Sequence, residues 1–506
     1  MNLRLLAMLV GIFALVFTAC DDDDDNTPFQ APNVSAPSDV QSVANGETGL
    51  SVTFNVSIDP ELTATYSASG SGVTVANPSG DVSGNSVTIN YDAGTTSGAA
   101  SITLTVTDSE GQSDEGTAVV NIAVDENVVI VRENITEDAT WTSDKTWVLG
   151  GRITVEAGAT LTIQPGTVIK GEAGTGANAT ALLIARDGML MAEGNANAPI
   201  IFTSVADEIT PERVASGDFT SPNLDPDING LWGGVIVLGN ATISASNDND
   251  DDVSEVQIEG IPSTDTNGLY GGMDDSDNSG VISHISIRHG GTNIGAGNEI
   301  NGLSLGGVGS GTTINNVEIV ANQDDGIEWF GGTVNVDDAV VWNAGDDAID
   351  TDQSWAGTLD NFFVVTPVGS CFELDGPEGS YVARHTITNG TVVASIFEEN
   401  EDGELEFAAG ATGFLIDVDA GDGATPVDMS NIHFVGPFAA GQTVTDDEAV
   451  AATFSNVTFD VDAGDLESLM EEGTVPMGIS AGGSPVADKS GLGWTWAASV
   501  GGLDGL

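Results

Sequence analysis

Basic side chains are scarce. Ten Lys and Arg stand against 77 Asp and Glu in 506 residues, a formal charge of −67. Neutralising a phosphate backbone takes clustered Lys and Arg, so nucleic acid is excluded as a partner, and polyanionic glycans are disfavoured for the same reason. Cysteine is scarcer still: Cys20 and Cys371 are the only two, too few for a disulfide framework. Beyond residue 20 no apolar run approaches the ~20 residues of a transmembrane helix. The four histidines, His284, His289, His385 and His433, include no pair at zinc-ligand spacing. Glycine, by contrast, is plentiful at 65 residues, about twice its ordinary share. Much of it lies between short apolar runs, the mark of an all-β chain with many turns.

Residues 1–20 read as a lipoprotein signal peptide. Arg4 supplies the positive start and residues 5–17 the apolar stretch, too short to span a bilayer. The ending Phe17-Thr18-Ala19-Cys20 resembles a bacterial lipobox, which implies lipidation of Cys20. Residues 21–33 form a tether. It opens with five consecutive Asp, 21–25, which repel one another and stay solvated, and continues into the Pro-containing Asn-Thr-Pro-Phe-Gln-Ala-Pro-Asn. The expected address is the outer membrane, with display on the cell surface and the lipid anchor as the membrane contact.

Residues 34–126 alternate with period two. Ser51-Val52-Thr53-Phe54-Asn55-Val56 and Ile102-Thr103-Leu104-Thr105-Val106 are clear cases, and about ninety residues of such strands predict a small β-sandwich. The stretch 102–124 resembles the last hairpin of cadherin-like and other Ig-like modules. From residue 127 the runs shorten to three or four residues between tight turns, as in Leu161-Thr162-Ile163 and Leu182-Leu183-Ile184. Short strands so regularly punctuated suit the sides of a coiled solenoid. One period is explicit: residues 317–327 match residues 339–349 at an offset of 22, and Leu305, Ile327, Ile349, Cys371 and Val393 continue that spacing with apolar residues. Such a ladder predicts an inward stack, one residue per rung, with Cys371 as a small core hydrophobe. Residues 127–506 are therefore read as a right-handed parallel β-helix, with Trp494-Thr495-Trp496 covering its last open rung and residues 466–472 forming the one short helix.

Several segments carry a family resemblance: Trp232-Gly233-Gly234-Val235-Ile236-Val237-Leu238-Gly239, Ile258-Glu259-Gly260, Ile287-Arg288-His289-Gly290-Gly291, and residues 322–332 followed by 345–355. Across about residues 140–500 the chain resembles an uncharacterised family of Bacteroidota surface lipoproteins. The resemblance implies a β-helix of the pectate-lyase-like superfold and a surface address, and brings no established chemistry.

The strongest chemical pattern is acidic. Asp324, Asp325 and Glu328 recur as Asp346, Asp347 and Asp350 one period later, with Asp352, Glu373 and Asp375 close by. If Ile327 and Ile349 face inward, Glu328 and Asp350 face outward on adjacent rungs, where carboxylates repel unless water, a proton or a cation intervenes. Three readings follow. In the first, Asn322-x-Asp324 with Gly345-Asp346-Asp347 resembles the carboxylate pattern of β-helical polygalacturonases, which implies catalytic roles for Asp324, Asp346 and Asp347 in an inverting hydrolysis. The His-Gly and Arg-x-Lys of those enzymes are missing here. In the second, hard oxygens bind Ca²⁺, with Asp275 and Asp277 in Asp275-Ser276-Asp277-Asn278-Ser279-Gly280, and Glu328, Asp350 and Asp352, as candidate ligands. Residues 417–423 with Asp428 are a looser match. In the third, the acids are turn residues without a site. Trp329, Trp342 and Trp355 lie near the acids and could stack on sugar faces, although Trp329 shares the inward side with Ile327. The insertions 207–229, 244–256 and 263–280 interrupt the rungs, and such insertions commonly build a solenoid's binding face. The expectation is a cell-surface lipoprotein acting as a binding or adhesion module for an extracellular glycan or protein. The alternative is a glycan-degrading hydrolase or lyase using Asp324, Asp346 and Asp347.

Overall fold

The structure is a computed structural model. It describes residues 29–506 apart from positions 39, 95–97, 124–126, 248, 294–299, 395–396, 400–404, 408–413, 419–426, 439–442, 446–451 and 471–472. Cys20, the acidic run after it, and Asp419 and Asp422 of the looser calcium match lie outside the described residues. The chain falls into two compact units that divide at residues 125 and 126.

The first unit is a β-sandwich. One antiparallel sheet has the order Asn33–Ser35, Leu50–Ser57, Ser86–Ala93, Val73–Val75. The other places the hairpin Gly98–Asp108 and Ser113–Ala123 between Gln41–Ala44 on one side and Ala64–Ser71 with Ser79–Asp81 on the other. Alternation in the sequence becomes alternation in burial: Val52, Phe54 and Val56 point into the core with Ile102, Leu104 and Val106, while the residues between them face out.

The second unit is a parallel β-helix. Each middle rung gives one long strand to a large sheet and one short strand to a second sheet. Thr313–Val320 leads to Ile327–Phe330, then Val336–Trp342, then Ile349–Asp352. Like strands pair in parallel from rung to rung. Early rungs use two separate strands, Met189–Glu193 and Ile200–Ser204, where later rungs have one, because both pair with the single strand Gly280–Arg288. That strand and its successors bend in the middle. The bend falls at His284, Asn316, Asp338, Asn361, Asn389, Asn431 and Asn456, all with φ between 50° and 60°, and the pairing register puts these seven in one column. Asn and Asp tolerate this left-handed conformation better than other side chains. The column is also tied along the axis, for example Asn361 Nδ2 to Asp338 Oδ1 at 2.6 Å and Asn456 Nδ2 to Asn431 Oδ1 at 3.0 Å.

The rung length is not constant. Ile327 pairs with Ile349, as the 22-residue period requires, but Leu303 rather than Leu305 precedes them, and Phe372 rather than Cys371 follows. Leu305, Ile327, Ile349 and Cys371 nevertheless all lie in the one interior cluster, so the inward direction holds while the register shifts with each inserted residue. Val393 lies in a strand of the large sheet and packs on that sheet's outer side.

The end of the solenoid departs from expectation. Leu466, from a 3₁₀ turn at Leu466–Leu469, and Met470 join the interior cluster near the last rungs. Trp494 and Trp496 instead lie on the outside of the large sheet, many rungs earlier: Trp494 meets His284, and Trp496 meets His289 and Trp342. The physical reason is the apolar outer face at Val340, Phe363 and Val365, which Leu492, Ala497 and Leu503 cover. Two further short helices appear, Pro211–Ala215 in the 207–229 insertion and Trp496–Ser499. No helix among the described residues is long and apolar enough to cross a membrane.

Candidate functional site

The outward column of the second sheet changes character along the axis. It runs Leu183, Ile236, Ser304, Glu328, Asp350, Glu373, Asp417. At the apolar end, Ile243, Ile258, Ile261 and Tyr270 from the insertion after Leu238 cover Leu183 and Ile236. At the other end the column becomes acidic. Glu328 and Asp350 do face outward, and both are buried together with Asp325, at 7–8% exposure each. One carboxylate oxygen from each of the three lies within 4.8 Å of the others. Burial, then the charges of its neighbours, pushes each carboxyl well above the usual carboxylate range; the first neighbour is Asp350 for Asp325, Asp325 for Glu328, and Glu328 for Asp350. Asn301 donates its amide to Glu328. Asp352 follows on the same strand, its carboxyl raised by burial and by Glu378.

The paired acids of the repeat divide their work. The second of each pair is buried at a turn and accepts a backbone N–H from the next rung: Asp325 Oδ1 from Asp347 at 2.9 Å, and Asp347 Oδ1 from Ser370. Asn322 is equally structural, donating to the carbonyls of Asp325 at 2.8 Å and Ile300 at 3.2 Å. The first of each pair lies nearer solvent, Asp324 half-buried and Asp346 exposed. Burial and a hydrogen bond to Glu373 push the Asp347 carboxyl up to about 8.

Other candidates go elsewhere. Of the expected metal ligands only Glu328 and Asp350 gather, with Asp325; Asp275, Asp277 and Asp352 are not in that group. Asp275 accepts the Thr242 N–H and Asp277 the Asn240 amide, both at 3.0 Å, which ties the 272–280 loop to its neighbour. Asp428 pairs with Arg384 at 2.6 Å. Trp329 and Trp355 are interior residues, at 0% and 1% exposure. They stack on each other at 4.6 Å and are not available to a sugar, because the alternation that turns Glu328 outward turns Trp329 inward. Trp342 is half-buried and meets Trp496 edge-on at 6.0 Å. Arg288 and His289 are structural as well. Arg288 and Glu318 have fully buried side chains 3.6 Å apart, Trp496 lies over the guanidinium at 4.9 Å, and the Ala497 N–H donates to Glu318 at 2.9 Å.

The insertions form a cleft of about 350 Å³, lined by Thr242, Ser244, Ser254, Met273, Ser380 and Tyr381 among others. Its walls are fixed to each other: Asp252 accepts the Ser380 N–H at 2.7 Å, and Ser244 Oγ accepts the Gly379 N–H at 3.1 Å. Asp324, Asp346 and Asp347 are not part of this cleft. Sequence reasoning places Asp325 in the repeat without a ligand's role, since the repeat does not say which acid of a pair is buried. It overlooks Asn301, which stands two residues before Leu303 as Asp325 stands before Ile327 but at an offset of 24 and not 22, and Tyr381, whose loop approaches residues 244–254 only through folding.

Among curated proteins no relative matches this chain. Among solved structures it is similar to a family 28 exopolygalacturonase of Yersinia enterocolitica, at 10% identity and TM-score 0.23 over 89% of this chain and 98% of that one. It is also similar to the catalytic unit of a thermostable GH87 α-1,3-glucanase of Streptomyces thermodiastaticus, at 14% identity and TM-score 0.31 over 86% of each chain. Neither likeness bears on activity. Residues 133–495 match the model of the pectate-lyase-like β-helix domain, and with most of its length accounted for in this way the chain belongs to that family.

Proposed function

We propose that this protein is a surface lipoprotein whose β-helix binds an extracellular glycan in the cleft between the insertions. The cleft itself carries the reading. Its volume suits a small ligand, its rim offers the side chains of Thr242, Ser254 and Met273, and Tyr381 stands 38% exposed beside them. Hydroxyls that donate and accept, beside an aromatic face, match a neutral sugar. The overall charge of −67 favours neutral over uronate-rich chains. The test is a glycan array with the full chain, followed by calorimetry on the best binder. Tyr381→Ala is expected to weaken binding about tenfold, the ~1.4 kcal/mol of one aromatic contact. Unchanged affinity would remove the cleft from consideration.

Hydrolysis is a second reading, and it has its own observation. A carboxyl pushed up to about 8, as at Asp347, keeps its proton near neutrality, as a general acid must, with Asp346 and Asp324 next to it nearer solvent. Release of reducing ends from the bound glycan, abolished by Asp347→Asn, would establish it. Binding without release would leave the binding reading alone.

A further inference from the structure

Three carboxyl groups share the outer face of two adjacent rungs without a cation of the protein's own. None of the six ion pairs among the described residues includes Asp325, Glu328 or Asp350. The charges acting most on them are all other carboxylates. Clustering of acids alone says little in a chain this acidic. Two buried oxygens say more. Asp350 Oδ1 has no hydrogen-bond partner, and neither has Oδ1 of Asn301, a residue only 4% exposed whose amide nitrogen touches Glu328. A buried polar atom without a partner is costly, and here two such acceptors belong to the same small group of side chains. Turning the Asn301 amide about its last bond exchanges its nitrogen for its oxygen, which then lies beside Glu328 and the Ser304 hydroxyl, and the group offers four side-chain oxygens.

We infer that Asp325, Glu328, Asp350 and the Asn301 amide oxygen form a binding site for a calcium ion on the outer face of the second sheet. The donor set is all oxygen, which selects a hard cation and not zinc or copper. Two Ca²⁺–O bonds of 2.3–2.6 Å span about 5 Å, enough for oxygens that lie within 4.8 Å of each other. This site shares no residue with the sugar cleft or with the hydrolysis reading.

Two measurements on the full chain, freed of metal with chelator, test it. In the first, terbium is added and its emission is followed on exciting tryptophan, since Trp329 adjoins Glu328 in the chain. Calcium is then titrated back. Emission that calcium reverses, and that Asp350→Asn or Glu328→Gln reduces at least tenfold, is the expected result, with Asp275→Asn unchanged. In the second, thermal melts are run in chelator, in millimolar calcium, and in sodium chloride at matched ionic strength. The wild type should gain with calcium specifically. Asp350→Asn should melt as high as the wild type or higher in chelator, because it relieves carboxylate crowding, yet gain nothing from calcium. That crossing separates a lost ligand from a damaged fold. Equal gains in both salts, or calcium binding that survives both variants, would overturn the site.

Discussion

His385 lies wholly buried with its ring 5.1 Å from that of Trp355 and its Nε2 near the Thr351 hydroxyl. Burial, and then the charge of Arg384, pulls its pKa down to about 3. An unfolded histidine titrates near ~6.5. Between these values the unfolded chain holds a proton that the folded chain refuses, so stability rises with pH across that window, is complete above about 6.5 and is lost as pH falls towards 3. Single-residue linkage of this size has an upper limit of roughly 4–5 kcal/mol. His385→Phe keeps a ring against Trp355 and removes the titration. Urea midpoints measured from pH 7 to 4 should fall less steeply for the variant than for the wild type, and parallel curves would contradict the assignment.

Within a rung, direction is more robust than register. Ile349 sits at 0% exposure between Ile327 and Phe372. Ile349→Asp would bury a charge with no partner, at a cost of several kcal/mol, and should lower the melting point of the β-helix far more than Asp346→Asn, which lies near solvent. A melt that separates the two variants checks it. This element was legible in the sequence because one adjacent pair of rungs keeps the 22-residue spacing. Its neighbours were not, since Phe372 stands 23 residues on and Leu303 stands 24 before Ile327. The Asn and Asp column from Asn316 to Asn456 escaped notice for the same reason. Its members are spaced by pairing register and not by any fixed count, and single asparagines in a turn-rich chain look alike until φ is known. The site was half legible. Alternation put Glu328 and Asp350 outward, but the burial of Asp325 and the approach of Asn301 depend on how turns stack across rungs.

At the scale of the whole chain, the proposed anchor is Cys20 and the closing contacts come from residues 486–506. Cys20→Ser is expected to release the protein from membranes, because stable attachment rests on acyl chains; fractionation after a high-salt wash decides it, and a variant that stays with the membrane would exclude Cys20 as the anchor. At the far end, residues 486–506 run back along the large sheet. Val486 and Ala487 donate to Thr391 Oγ1, both at 3.0 Å, Asp488 exchanges hydrogen bonds with Asn361, and Trp496 reaches Arg288. Truncation after residue 485 should bare Val340, Phe363 and Val365, raise the binding of a hydrophobic dye and favour aggregation. An unchanged dye signal would show that the strap is dispensable. Synthesis adds a sense of time to this contact. Rungs can form one after another as the chain emerges, yet the outer face of the middle rungs waits for residues 486–506 to be made. Until then Arg288 lacks Trp496 and Glu318 lacks the Ala497 N–H, and the apolar ridge beside them is available to any other chain. The middle rungs are therefore sealed by a segment that follows them by a hundred residues or more, and a stop codon before residue 486 would harm rungs completed long before it.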